Sequence, residues 1–419
     1  MCTAGLTSMI SGFRMGLWAA IIVVFTVLVP VTFPASASTD LLGYAIRSGK
    51  PTLNLRYRFE RVDDDAFSDK GYASTLRTAF GYTTARWRGV AARIEFQGVT
   101  NVGEADKHNN KGSGSAWNGV SNRPVIADPN QIDFNQAYLD WKAGEGTRLL
   151  LGRQEILLDN VRFVGNVGWR QFHQSFDAVR LTTTKIPGIR LTYAYVLNQN
   201  RIFADTKRMS SHLLNLRREF GKAGSLSVYG YLIDYDKPDD SRLSTSTFGA
   251  YWHGGVGLTS GWKGLYDLEL AHQVDTGDNP GNVDANYYRT VIGAEVGIWT
   301  FKVGYELLEG KPGDGAFSTP FATLHAWNGW ADKFLKTPAD GLEDLTFTVS
   351  AKISSWKFVG VYHKLSADTG GAHYGGEMDL LAAYTSPWKQ VFALKAAAYN
   401  ANKYSTDTTK LWVFSTWKF

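Results

Sequence analysis

The chain has 419 residues, with 44 Lys and Arg against 39 Asp and Glu, eight His, and one cysteine, Cys2. A net charge of +5 without any run of five or six basic residues gives no footprint for nucleic acid, and one cysteine excludes disulfide frameworks and cysteine zinc sites. Fourteen Trp, 20 Tyr and 23 Phe beside 43 Gly and only 12 Pro suit aromatic girdles and crowded strands.

The N-terminus carries Arg14, an apolar stretch from Leu17 to Val29, Pro30 and Pro34, then Ala35-Ser36-Ala37. The stretch is shorter than the roughly 20 residues of a spanning helix, and a small-x-small triplet follows it. Residues 1–37 are therefore predicted to be a removed secretory signal that takes Cys2 with it, and 38–419 a single domain. No later apolar run is long enough for a membrane helix, which leaves strands as the means of crossing.

From residue 51 onward the sequence alternates with period two. Leu53, Leu55, Tyr57 and Phe59 oppose Asn54, Arg56, Arg58 and Glu60; Ala92, Ile94 and Phe96 oppose Arg93, Glu95 and Gln97. The same pattern sets Tyr266, Leu268 and Leu270 against Asp267 and Glu269. It sets Phe301, Val303 and Tyr305 against Lys302 and Glu306, and Phe347, Val349 and Ala351 against Thr348 and Lys352. About 18 such segments fall near 51–61, 74–85, 88–99, 131–142, 147–156, 174–183, 188–198, 211–220, 225–235, 244–253, 263–274, 286–297, 299–309, 344–354, 356–366, 377–386, 390–400 and 409–419. Globular strands run about five or six residues, whereas about ten tilted residues cover the roughly 25 Å apolar band of an outer membrane.

Short links such as Ala143–Gly146, Ile186–Gly188 and Gly221–Gly224 alternate with long polar ones near 100–130, 157–173, 199–210, 275–285, 310–343 and 401–408. That asymmetry predicts an all-β fold, a transmembrane antiparallel up-and-down β-barrel with short turns on the periplasmic side. At the C-terminus Phe419, Trp417, Val413 and Leu411 share one face. This resembles the sorting signal of bacterial outer-membrane barrels and predicts recognition of Phe419 by the barrel assembly machinery.

A bore of about 18 strands is too wide for side chains to fill and encloses water. A charged side chain at mid-strand must face it, because Arg or Lys at the lipid midplane costs about 2–4 kcal/mol. The predicted lumen set holds Arg56, Arg58, Arg77, Arg93, Arg153, Arg180, Arg190, Arg289, Lys302 and Lys352, tempered by Glu60, Glu95, Asp140, Asp267, Glu269, Glu295 and Glu306. Such a basic-rich wall favours anions. Trp327 and Trp330, in the longest loop, are candidates to stack on sugar rings. No Gly-x-Ser-x-Gly elbow, phosphate loop or His-Glu-x-x-His occurs, so no catalytic residue, metal or cofactor is expected; Asp275–Asn279 reads as a solvated loop rather than a calcium site.

Two stretches carry a family resemblance. One is Gly152-Arg153-Gln154-Glu155 with Asn160-Val161-Arg162-Phe163-Val164-Gly165, Trp169-Arg170-Gln171 and Phe176-Asp177-Ala178-Val179-Arg180. The other is His325-Ala326-Trp327-Asn328-Gly329-Trp330-Ala331-Asp332 leading to Gly341-Leu342-Glu343-Asp344-Leu345. Both resemble the alginate-export family of outer-membrane proteins. The resemblance implies an 18-stranded barrel passing an acidic polysaccharide through an arginine-rich constriction, with Arg153, Arg162, Arg170 and Arg180 as the matching arginines. The reading is thus a passive channel for anionic solutes in the outer membrane of a Gram-negative bacterium, touching membrane lipid and an anionic polysaccharide or small anionic solute. The alternative is a general or uptake porin for sugars or organic acids, with loop 310–343 folded in as a constriction. An outer-membrane hydrolase and a soluble β-rich secreted protein are the more distant rivals.

Overall fold

The computed structural model describes residues 39–259 and 261–419. The predicted signal segment and Cys2 lie outside them. A helix, α1 (Thr39–Arg47), precedes the first strand. The barrel strands are β1 (Lys50–Asp64), β2 (Gly71–Thr83), β3 (Val90–Asn101), β4 (Gln131–Lys142), β5 (Thr147–Gln154), β6 (Ser175–Thr183), β7 (Ile189–Asn200), β8 (Thr206–Glu219) and β9 (Ser225–Ile233). They continue as β10 (Thr245–Gly257), β11 (Trp262–Asp275), β12 (Asp284–Val296) and β13 (Trp299–Leu308). A small hairpin, β14 (Gly310–Lys311) and β15 (Gly315–Ala316), stands apart from the wall. β16 (Leu342–Ile353), β17 (Trp356–Ser366), β18 (His373–Thr385), β19 (Val391–Ala401) and β20 (Thr408–Lys418) complete it.

Each wall strand pairs antiparallel with its sequence neighbour, and β1 closes on β20, giving one 18-stranded sheet without an edge. Closure satisfies every ladder N–H and C=O internally, which hydrocarbon demands. Phe419 and Leu53 exchange backbone hydrogen bonds of 2.8 and 3.2 Å just past the last pair, so the terminal aromatic completes the seam.

The alternation sorts side chains as expected. Leu270, Ile292, Leu380 and Leu394 stand on the outer face more than half exposed. Trp262, Trp299 and Trp356 sit at the strand ends next to the short turns, one row of an interfacial girdle. On the other face Arg58, Glu60, Gln97, Glu269, Asp344 and Glu377 are almost wholly buried. Polar residues buried on the inside of a barrel this wide require something to cover them, and two loops do so.

Candidate functional site: a lumen divided by two inward loops

β5 has only eight residues, and the chain beyond it turns into the bore. Ile156, Phe163 and Val164 are buried there with Phe176, with Tyr229, Tyr231 and Tyr287 of the wall, and with Phe317 and Phe321 of the loop that follows β13. The Phe163 ring lies 5.4 Å from Tyr229 and 5.3 Å from Tyr287, and Phe176 lies 4.9 Å from Phe321. Such pairs contribute about 0.5–1.5 kcal/mol each beyond the area they bury. The two loops are also tied by their backbones. Gly165 N donates to Phe321 O at 2.9 Å and Thr323 N to Val161 O at 3.1 Å, while the Gln174 amide donates to Gly165 O at 2.9 Å and Phe321 O at 3.3 Å. The bore is not open along its length: an aromatic core inside the barrel recruits loop 309–341, the segment expected as a constriction in the uptake reading, together with loop 155–174, which was not expected there.

Charged groups anchor that partition around the wall. Arg162 donates from Nε to Glu306 at 2.8 Å and to the Asn328 side-chain oxygen at 3.2 Å, with Asn328 and Tyr287 also donating to Glu306. Arg170 bridges Glu60 at 3.2 Å and Asp332 at 3.0 Å. Arg58 pairs with Asp128 at 2.6 Å and donates to the Trp169 carbonyl at 2.7 Å; Arg56 donates to Gln171 at 2.7 Å. Lys395 donates to His325 Nε2 at 2.6 Å, and His325 donates from Nδ1 to Asp332 at 2.7 Å, where Lys410 also binds at 2.8 Å. On the far side Trp330 N and Ala331 N donate to Asp379 and Glu377 at 3.1 and 2.6 Å.

These contacts tune the loop groups. Burial, with the neighbouring Lys395 ammonium, holds His325 well below the usual histidine range. Burial, aided by Arg77, lowers His173 to about 4. Burial alone would raise Asp332, but His325, Lys410 and Arg170 outweigh it and keep that carboxyl well below the usual range. At neutral pH both histidines are uncharged and Asp332 is a carboxylate.

The partition stores backbone strain. Asp159, Val161 and Val167 have φ of 48°, 59° and 51°, left-handed values that are especially unfavourable for β-branched valine and typically cost on the order of 1–3 kcal/mol each. The segment is held by Asp159, which accepts from Asn215 at 2.6 Å and Ser227 at 2.5 Å, and by Asn160, which donates to Glu269 at 2.8 Å. In the second loop Gly329 has φ of 92° and lies against the Glu377 carboxylate, leaving no room for a Cβ.

Two cavities lie along these loops, one nearer each rim of the barrel. The outer one, 660 Å³, has Arg162, Arg170 and Asp332 beside Phe317 and Phe334, with Arg201, Lys207, Arg242, Lys311 and Lys336 also lining it. Arg201 is paired with Asp205 and Lys207 with Asp240, whereas no ion pair involves Arg242, Lys311 or Lys336 among the described residues. The inner cavity, 940 Å³, presents Lys142, Arg148, Arg180, Arg190 and Arg217 against Glu145, Asp159 and Glu219.

Alternation and partners put Arg56, Arg58, Arg77, Arg93, Arg180, Arg190, Arg289, Lys302 and Lys352 on the lumen side with Glu95, Asp140, Asp267, Glu269 and Glu295. Arg93 pairs with Glu95, Arg289 with Asp267, and Lys263 with Glu295; Arg148 binds Asp140 at 2.8 Å. Arg162 and Arg170 reach the lumen on a loop, not on strands. Arg153 does not reach it, and its assignment to the lumen is corrected. It alternates with the buried Gln154, shares the face of exposed Leu151, and pairs on the outer face with Asp177 at 2.7 Å and Asp133 at 3.4 Å. Local carboxylates, not lumen water, compensate that charge near the outer rim. Arg153→Ala is expected to leave the reversal potential of the channel unchanged, which single-channel recording in a salt gradient measures.

Trp327 and Trp330 are not open sugar platforms. Arg162 and Arg289 lie over Trp327 at 5.3 and 5.0 Å, and Lys395 lies over Trp330 at 3.7 Å. Sequence reasoning did not single out Lys395, although its alternation with Leu394 marked it as inward. Arg242, Lys311 and Lys336 sit in loops or the small hairpin, where no periodicity could flag them.

The comparisons agree with this architecture. No curated protein matches the chain. OpdK of Pseudomonas aeruginosa, crystallised with vanillate, is similar in structure with a TM-score of 0.70 at 13% identity, over 89% of this chain and 99% of that one. OccK9 (OpdG) of the same organism gives 0.69 at 15% over 90% and 99%, and OccAB4 of Acinetobacter baumannii gives 0.67 at 13% over 89% and 98%. At these identities the likeness concerns the fold. The sequence itself matches the alginate export family over residues 50–317. With that match over more than half its length and a closed 18-stranded wall around a partitioned lumen, the chain belongs to the alginate export family of outer-membrane β-barrel channels.

Proposed function

We propose that the protein passes small carboxylate-bearing solutes across the outer membrane by passive diffusion, with a preference for anions. The observation that carries this is the pair of basic cavities on either side of the partition. Arg242, Lys311 and Lys336 collect solute in the outer one and Arg180 and Arg190 receive it in the inner one. Exposed lysine and arginine exchange water for a carboxylate at little net gain, so the solute is attracted without being trapped. Cavities of 660 and 940 Å³ suit small solutes, the size class of the vanillate bound to one fold neighbour. The family match supports an acidic polysaccharide as a second reading, reached when the partition moves aside. The exposed terminal Phe419 supports recognition of the last strand by assembly machinery.

Reversal potentials in a potassium chloride gradient test the preference. The wild type is expected to favour chloride, and a triple variant Arg242→Gln, Lys311→Gln, Lys336→Gln to lose about half or more of that preference while remaining folded. Cation preference in the wild type, or an unaltered potential in the variant, would refute the reading. Liposome swelling with a monomeric uronate against a neutral sugar of equal size separates charge selection from simple sieving.

A further inference from the structure

The helix α1 contributes no residue to either cavity lining described above. It is nine residues long, and Leu41, Leu42, Tyr44 and Ile46 are 54%, 43%, 63% and 52% exposed. In a helix, Leu41, Leu42, Ala45 and Ile46 fall on one side, while Gly43, Tyr44 and Arg47 fall on the other. Ala45, at the middle of the apolar side, is buried; its carbonyl accepts from Ala85 N at 2.9 Å, and the Ile46 carbonyl accepts from the Tyr82 hydroxyl.

Tyr82 fixes where the helix lies. It alternates with inward Gly81, shares the outer face of β2 with Phe80, and pairs in register with outward Ile94 of β3. The helix therefore sits outside the wall, at the periplasmic end of the lipid-facing band, and not beneath the bore. Its exposed apolar residues continue that band. Arg47 ends it and Lys50 follows in sequence, and Trp87 with Arg88 over its ring stands in the adjoining β2–β3 turn. Tryptophan and cationic side chains at one level are the signature of a headgroup boundary.

We propose that α1 is an interfacial anchor that lies in the inner leaflet of the outer membrane, Ala45 against the barrel, the exposed flank of its apolar side among phospholipid acyl chains and Arg47 at the headgroups. An amphipathic helix too short to span binds in this way, with its apolar face buried roughly 5–10 Å into the headgroup boundary. The anchor fixes the depth of the β2–β3 turn.

The single cysteine makes the test direct. A spin label is placed at Leu42→Cys or at Gly43→Cys, with Cys2→Ser to silence any unprocessed chain, and the exported, processed protein is reconstituted in vesicles of phosphatidylcholine and phosphatidylglycerol. The label at 42 is expected to be accessible to oxygen and shielded from a water-soluble nickel chelate, and the label at 43 to show the reverse. Both labels in water would overturn the proposal. So would dipolar broadening between labels at 42, which would mean that a second copy covers the face. A second variant, Leu41→Asp with Ile46→Asp, should move the label at 42 into water while the barrel keeps its heat-modifiable migration on a gel; if the label stays lipid-exposed, the apolar side does not hold the helix there.

Discussion

Replacing Arg162 by methionine should release the partition and raise the open probability of the channel on the order of 10²–10³-fold. The guanidinium is 1% exposed and the Glu306 carboxylate facing it 7%. Removing one member of a buried pair strands the other charge in a dry site and typically costs about 3–5 kcal/mol, and each 1.4 kcal/mol is about tenfold in an equilibrium. Asn328, Tyr287 and Trp327 lose a partner at the same time, so both loops are loosened together. Strain at Asp159 and Val161 adds to the tendency to leave. The readouts are open probability in planar bilayers and protease cleavage of loop 155–174 from outside. The paired variant Arg162→Met, Glu306→Gln should recover part of the closed state, because no charge is then left alone. Unchanged conductance with the loop equally protected would show that the pair is not what holds the partition.

Acidification from pH 7 to pH 5 should also open the channel. His173 and His325 are both neutral in the docked loops because burial, with Arg77 and Lys395 nearby, disfavours their protonation. A freed loop returns its histidine to about 6.5. The docked state is thus at full strength above that value and weakens as pH falls toward the depressed one, the released loop binding the extra proton. For His173, lowered to about 4, the loss at pH 5 amounts to about 2 kcal/mol, or roughly thirtyfold in the docking equilibrium. Glu155, 3.0 Å from the His173 ring, pulls the other way but is outweighed by burial. For His325 the facing groups are Asp332, Lys395, Arg170 and the Trp169 ring stacked at 4.3 Å. Asp332 stays ionised through this window and does not contribute to it. Open probability as a function of pH measures the effect, and His173→Asn with His325→Asn should flatten it. A slope that survives the double substitution would place the titrating groups elsewhere.

Motion of these loops has functional weight because they stand between two solute-sized cavities. A partition built from loops, with strained backbone and side-chain anchors, has lower local stability than the hydrogen-bonded wall around it. The wall can therefore stay rigid in lipid while the passage changes.

The barrel was legible from residue order alone. Alternation such as Leu53-Asn54-Leu55-Arg56 has a period set by the pleat, and hydrocarbon on one side leaves charge only the other side to face. The strand positions followed from this to within a few residues, as did the inward placement of Arg58, Glu269 and Arg289. Arg153 was misread because alternation reports which face a residue shares, not which carboxylates stand beside it, and Asp177 and Asp133 come from other strands. The fate of the lumen was decided only in three dimensions. Arg162 meets Glu306 across 144 positions, and Lys395 reaches His325 across 70. Loop residues carry no periodicity from which such meetings could be read. Their conformation is fixed by what the closed wall brings opposite them, so whether the bore is open or divided is a property of tertiary contact alone.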